Sequence, residues 1–232
     1  MNYDCIVVNG DSYSAQLGPN SHKVYADFIS EKLGIPVKNL SVVGSSNPRI
    51  TRSSIEYLHE IKSEYNNPLV IIGWSFVRRL EVWYYGNNRT LIKQVPDSSQ
   101  SRLVTLDWIL TKGEATLEQK SLINGDSFVH KQLVDFYTNL YMFAHTLQSQ
   151  NISYLFFSGA KNTDCPIHCF PYIESLQQVK WVSENKRIYK MHEFCIMDWA
   201  KENDPECHPV TGHLSELGHK KFADFILNNM ID

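Results

Sequence analysis

The stretch Cys5-Ile6-Val7-Val8-Asn9-Gly10-Asp11-Ser12-Tyr13-Ser14 joins a short apolar run to a polar turn. Four consecutive apolar residues without polar alternation mark a strand buried on both faces, as in a parallel sheet. Asn9-Gly10 closes the run, so Asp11 and Ser12 leave the sheet at its carboxyl edge. In open α/β sheets that edge is where ligands bind. A hydroxyl placed there is a weak nucleophile until a base removes its proton.

Outward from this strand the pattern alternates. Val24, Tyr25, Phe28, Ile29 and Leu33 recur at helical spacing, and Gly34 supplies a stop. A strand is expected over Val37 to Val43, then a helix over Ile50 to Tyr65. Pro68 introduces the apolar run Leu69-Val70-Ile71-Ile72, which ends at Gly73. The rhythm breaks between about 77 and 126, a segment rich in Trp, Tyr, Asn, Ser and Lys that reads as an insertion with local structure of its own. Ser127 is placed to cap a helix reaching Leu147, and Ile152 to Phe157 reads as a fourth strand. Asp164 to Asp204 looks irregular, with a short fifth strand near Ile188, before a last helix from Ser215. Strands alternating with helices predict an α/β fold: a three-layer α/β/α sandwich, flavodoxin-like, with about five parallel strands in one domain.

Bulk composition narrows the function classes. The chain has 232 residues, 43% hydrophobic and 20% charged, which suits a globular domain with a core of its own. A formal charge of −3 lacks the basic excess that nucleic-acid binding requires. No apolar run is long enough for a membrane span, and Met1-Asn2-Tyr3-Asp4 lacks the basic flank of a signal peptide, so a cytoplasmic start is expected. Five cysteines, an odd number, are expected as free thiols. The cluster Cys165-Pro166-Ile167-His168-Cys169, with Cys207-His208 later, matches no zinc spacing, so no metal is expected. A nucleotide-binding reading is weakened by the absence of a glycine-rich phosphate loop after the first strand.

The end of the chain adds the decisive block. His213-Leu214-Ser215-Glu216-Leu217-Gly218-His219, followed by Ala223, resembles the last block of the SGNH/GDSL hydrolases, in which a histidine precedes the final helix. Gly218 and Ala223 stand at the offsets of that family's glycine and alanine. With this, Gly10-Asp11-Ser12-Tyr13-Ser14 resembles the nucleophile block, and Asn39-Leu40-Ser41-Val42-Val43-Gly44 the second block. The resemblance implies a serine esterase or deacetylase of small acyl esters or acetylated carbohydrates, without cofactor. Ser12 would be its nucleophile, His213 its base and the Gly44 N–H an oxyanion donor.

Two departures accompany the resemblance. The family's third block is Gly-x-Asn-Asp, whereas this strand ends Gly73-Trp74-Ser75-Phe76. Ser75 and Asn47 are the candidate substitutes, because losing an oxyanion donor outright costs about 2.7–4 kcal/mol of transition-state stabilisation. The family's acid lies three residues before the histidine, where Val210 stands; Asp204, Glu206 or a backbone carbonyl would have to orient the imidazole instead. His208 is a second candidate base, with Glu206 or Asp204 beside it, but it fits the offsets of Gly218 and Ala223 less well. His219 reads as a surface residue. Arg78, Arg79 and Glu81 offer a bracing ion pair, and Trp74, Trp83, Tyr84 and Tyr85 a sugar-stacking wall or simple core packing. The missing Asn and Asp leave a second reading open: a non-catalytic SGNH-fold structural or glycan-binding module, for example of a phage virion.

Overall fold

A computed structural model describes residues 3–16, 22–77, 79, 81–83, 103–105, 126–159, 171–208 and 212–231. Four parallel strands form the central sheet: β1 (Cys5–Gly10), β2 (Val37–Asn39), β3 (Pro68–Trp74) and β6 (Ser153–Ser158), in the order β2-β1-β3-β6. Gly10 lies opposite Gly73, and Trp74 opposite Ser158. Side chains alternate across the sheet, as the pleat requires. Cys5, Val7, Val70, Ile72, Trp74, Tyr154 and Phe156 face one core, whereas Ile6, Val8, Leu69, Ile71, Leu155 and Phe157 face the other.

Helices cover both faces. α2 (Asn47–Ile61), α3 (Asp126–Ser149) and α5 (Gln177–Glu184) close the first core, with Ile50, Leu140, Phe143 and Val182 buried on it. α1 (Tyr25–Leu33), α6 (Ile196–Asn203) and α7 (Glu216–Asn229) close the second with Tyr25, Ile29, Ile196, Phe222 and Ile226. Each fully buried apolar side chain of this size contributes about 1.5–3 kcal/mol, so neither face can do without its helices. The arrangement is the expected three-layer α/β/α sandwich, with four parallel strands in its central sheet.

Several boundaries follow from identifiable residues. α1 stops at Gly34, whose φ of 67° is the left-handed conformation that glycine takes at no steric cost. Ser46 caps α2 by accepting from the Arg49 N–H, and Ser215 caps α7 by accepting from the Gly218 N–H.

Other expectations need correction. β2 ends at Asn39 instead of Val43, because the Asn39 side chain accepts the Ser41 N–H and donates to the Ser14 carbonyl, turning the chain. The fifth strand near Ile188 is a single parallel bridge to Phe156, with Lys190 at φ 39° just beyond it. The stretch expected to be irregular contains α4 (Pro171–Ser175), α5 and α6; these helices are too short to show a strong apolar period. Within the expected insertion, β4 (Glu81–Trp83) and β5 (Leu103–Thr105) pair antiparallel, while 84–102 and 106–125 lie outside the described residues. Cys5, Cys195 and Cys207 are free thiols; Cys165, His168 and Cys169 lie outside the described residues. No helix among the described residues is long and apolar enough to cross a membrane, and no cluster of possible metal ligands occurs among them.

Candidate active site

The turn after β1 is built to present Ser12. Asp11 accepts the backbone N–H groups of Ser14 and Ala15 through its carbonyl and that of Tyr13 through Oδ1, so 11–15 form a tight loop. Ser14 anchors the loop from below. Its Oγ accepts from the Tyr25 hydroxyl at 2.9 Å and sits against Gly10 and Gly73. A Cβ at Gly10 would come 2.6 Å from that oxygen, and one at Gly73 2.8 Å, so the two adjacent strands must both carry glycine here. Ser12 keeps slight exposure, 8%.

His213 reaches Ser12 from the other end of the chain: its Nε2 lies 2.9 Å from Ser12 Oγ. The loop that carries it is closed by two backbone hydrogen bonds, from the His208 N–H to the His213 carbonyl and from the Gly212 N–H to the His208 carbonyl. Gly212 has φ 67° and packs against Met197, leaving no room for a Cβ. The Tyr13 ring flanks the imidazole, with centroids 5.0 Å apart. Burial pushes the His213 pKa below the usual histidine value; Asp11 pulls it up, and His208 and Arg79 push it down. The imidazole is therefore neutral at neutral pH and able to accept a proton. His208, the other candidate base, is exposed.

The expected acid is not on the imidazole. Asp204 is 1% exposed, and its carboxylate accepts from the Ser215 N–H (2.7 Å), the Ser215 hydroxyl (2.8 Å) and the Glu206 N–H (3.2 Å). It thus fastens the end of α6 to the start of α7, under the His213 loop. Gly218 is required by this packing, since a Cβ there would fall 2.1 Å from Asp204 Oδ2. Glu206 is exposed, and neither carboxylate hydrogen-bonds to His213. Val210 lies outside the described residues.

The expected oxyanion donors divide. The N–H groups of Ser12 and Gly44 donate to no other described residue, and Gly44 has φ 80° at the end of the second connection. The Ser75 and Asn47 side chains are buried and hydrogen-bonded within the protein. The Ser75 hydroxyl gives its one proton to Asp11 Oδ2 at 2.7 Å. The Asn47 amide donates to the carbonyls of Ser75 and Phe76, and its oxygen accepts the Ser75 N–H at 2.8 Å. Both side chains are consumed in fixing the end of β3.

Arg79 completes this layer. Its Nη1 stands 2.9 Å from Asp11 Oδ2 and 2.7 Å from Ser75 Oγ, with both partners of the ion pair buried. The bracing pair foreseen near Arg79 includes Asp11, 68 residues away, and the Glu81 side chain lies outside the described residues. Arg78 lies outside the described residues, as do Tyr84, Tyr85 and the side chain of Trp83. Trp74 is core, set edge-on against Phe136, Phe143 and Phe156. His219 is buried instead of superficial: its Nδ1 accepts the Tyr25 N–H, and burial lowers its pKa to about 4.

A family model described as a family of unknown function (DUF6071) matches residues 20–169. The chain belongs to that family. No curated protein matches the sequence. Among solved structures, this DUF6071 protein is similar to that of TesA, with a TM-score of 0.53 and 15% identity over 97% of each chain. It is also similar to the psychrotrophic esterase EstA from Pseudoalteromonas sp., with a TM-score of 0.51 and 14% identity over 98% of this chain and 96% of that one. At such identities the likeness establishes the SGNH hydrolase-like fold of this DUF6071 chain and no more.

Proposed function

We propose that the protein is a serine ester hydrolase that works through an acyl-enzyme, its domain formed by residues 1–232 with an insertion at about 77–126. The observation that carries this reading is the 2.9 Å contact between His213 Nε2 and Ser12 Oγ, made across 201 residues of sequence. As a substrate ester binds, His213 takes the Ser12 proton while Oγ bonds to the carbonyl carbon. The oxyanion that forms is met by the N–H groups of Ser12 and Gly44. Collapse of that intermediate breaks the bond to the alcohol, which leaves with the proton from His213. Water then repeats the sequence on the acyl-enzyme, with His213 again as base, and releases the acid. Ser12 and His213 act as a dyad, and the carboxylate that bears most on the imidazole is Asp11.

The substrates are small acyl esters, a class suggested by the fold shared with the esterase EstA, and O-acetylated carbohydrates are the subclass that the resemblance of the sequence blocks implies. The test is incubation with a fluorophosphonate and, separately, with p-nitrophenyl acetate. Labelling confined to Ser12 and turnover lost in Ser12→Ala are expected. An unlabelled, inactive parent would overturn the reading and favour a non-catalytic structural or glycan-binding module. The observation behind that alternative is Ser75, where the related block has asparagine, with its hydroxyl turned inward.

A further inference from the structure

Three connections meet beneath Ser12, and one side chain touches all of them. Arg79 Nη1 contacts Asp11 Oδ2 at 2.9 Å after β1, the Ser45 carbonyl at 3.4 Å after β2, and Ser75 Oγ at 2.7 Å after β3. Two of these partners adjoin groups of the proposed machinery: Asp11 precedes Ser12, and Ser45 follows Gly44. The guanidinium also lies over the Phe76 ring, 4.6 Å from its centroid, which helps to hold its plane.

We infer that Arg79 is a positioning residue, which ties the turn of Ser12 to the turn of Gly44 and so sets how far the Gly44 N–H stands from Ser12 Oγ. The catalytic part of this inference rests on the ester hydrolase reading; the mechanical part does not. A guanidinium is suited to the task because its charge is permanent and its rigid plane holds Nη1 among the three acceptors, whereas an ammonium is a point charge on a flexible stem. Asp11 and Ser75 are the neighbours that complete the strut: the Ser75 hydroxyl accepts from Arg79 and donates to Asp11, closing a three-membered ring of polar contacts. A shift of about 1 Å between reacting groups is enough to cost about 10²-fold in rate.

Three variants test this: Arg79→Met, Arg79→Lys, and the double variant Asp11→Asn/Arg79→Met, which removes both charges together. Arg79→Met is expected to lower kcat for p-nitrophenyl acetate by about 10²-fold with KM within about threefold, and Arg79→Lys to recover only part of the loss. The double variant leaves no buried unpaired charge, so its melting temperature should return toward the parent. Its kcat should stay low, because the strut is still missing. Recovery of kcat to within about threefold in the double variant would reduce Arg79 to charge balance and overturn the proposal. Amide hydrogen exchange of the double and Lys variants gives a readout that needs no turnover. Residues 11–15 and 42–46 should exchange faster together, and faster exchange confined to 75–79 would overturn the mechanical part. If the parent hydrolyses no ester, the esterase reading fails while the exchange result still decides the strut.

Discussion

Gly10 and Gly73 face each other across β1 and β3, and each is followed two residues later by a serine. Ser12 keeps its hydroxyl at the surface of the sheet edge, 2.9 Å from His213. Ser75, at the same offset on the neighbouring strand, is fully buried and spends its proton on Asp11. Equivalent positions thus carry opposite chemistry. The difference lies in what surrounds each oxygen: a buried hydroxyl must satisfy itself with the acceptor at hand, and at Ser75 that acceptor is a carboxylate. At Ser12 the nearest partner is a neutral imidazole, which can take the proton away.

The largest expected effect is on the β1 side. Ser12→Ala should lower ester hydrolysis by about 10⁴-fold or more while leaving the melting temperature within a few degrees. Residual activity within tenfold of the parent would dissolve the contrast between the two serines. His213→Ala should cost a comparable factor, since nucleophile and base act as a unit. His208→Ala should stay within a few-fold, and steady-state kinetics that reversed this order would move the base to His208. The same imidazole sets the pH dependence. Its pKa lies below 6.5 because burial disfavours the charged form, and only the neutral form accepts a proton. The acid limb of kcat/KM should accordingly fall with a midpoint below 6.5.

A second histidine sharpens the point in stability. His219 has a pKa of about 4 when folded, against 6.5 in the open chain. Between those values the unfolded state binds more protons, so stability falls as pH drops from 6.5 to 4, by on the order of 3 kcal/mol. Urea melts should show the parent losing stability between pH 6.5 and 4 more steeply than His219→Gln, which lacks this titration; equal slopes against pH would refute the assignment. Asp204 belongs to the same scaffold. Asp204→Ala should cost roughly 1.5–3 kcal/mol of stability by leaving buried donors unpaired, while kcat per folded molecule changes only a few-fold. A steep kcat loss at full stability would restore Asp204 as the acid. A small effect is also expected at Ser75. An oxyanion donor removed costs 10²–10³-fold in kcat on the order of magnitude known for such sites, whereas Ser75→Ala should cost less than about tenfold. A loss in the donor range would show that the hydroxyl turns outward in the transition state.

Local sequence carried much of this molecule. The apolar runs of β1 and β3, the left-handed stop at Gly34 and the Ser215 cap before α7 all depend on residues within a turn or two of one another, so their patterns are visible in the linear chain. The turn that carries Ser12 was legible for the same reason, as was the block around His213 by its spacing. The short helices α4 and α5 were not, because five to eight residues hold too few apolar positions to reveal a period. Nor was the assignment of polar partners. Asp11 and Arg79, Asp204 and Ser215, Asn47 and Ser75 each join different segments of the chain. Any of those carboxylates and amides has the right chemistry for a catalytic site. Which of them serve the site and which brace the scaffold depends on the directions in which strand ends and helix caps deliver them, and on which buried donor each oxygen meets first. That is a property of the packed sheet and its helices: a hydrogen bond is directional and short-ranged, so its partner is selected only when the fold has brought both groups within about 3 Å of each other.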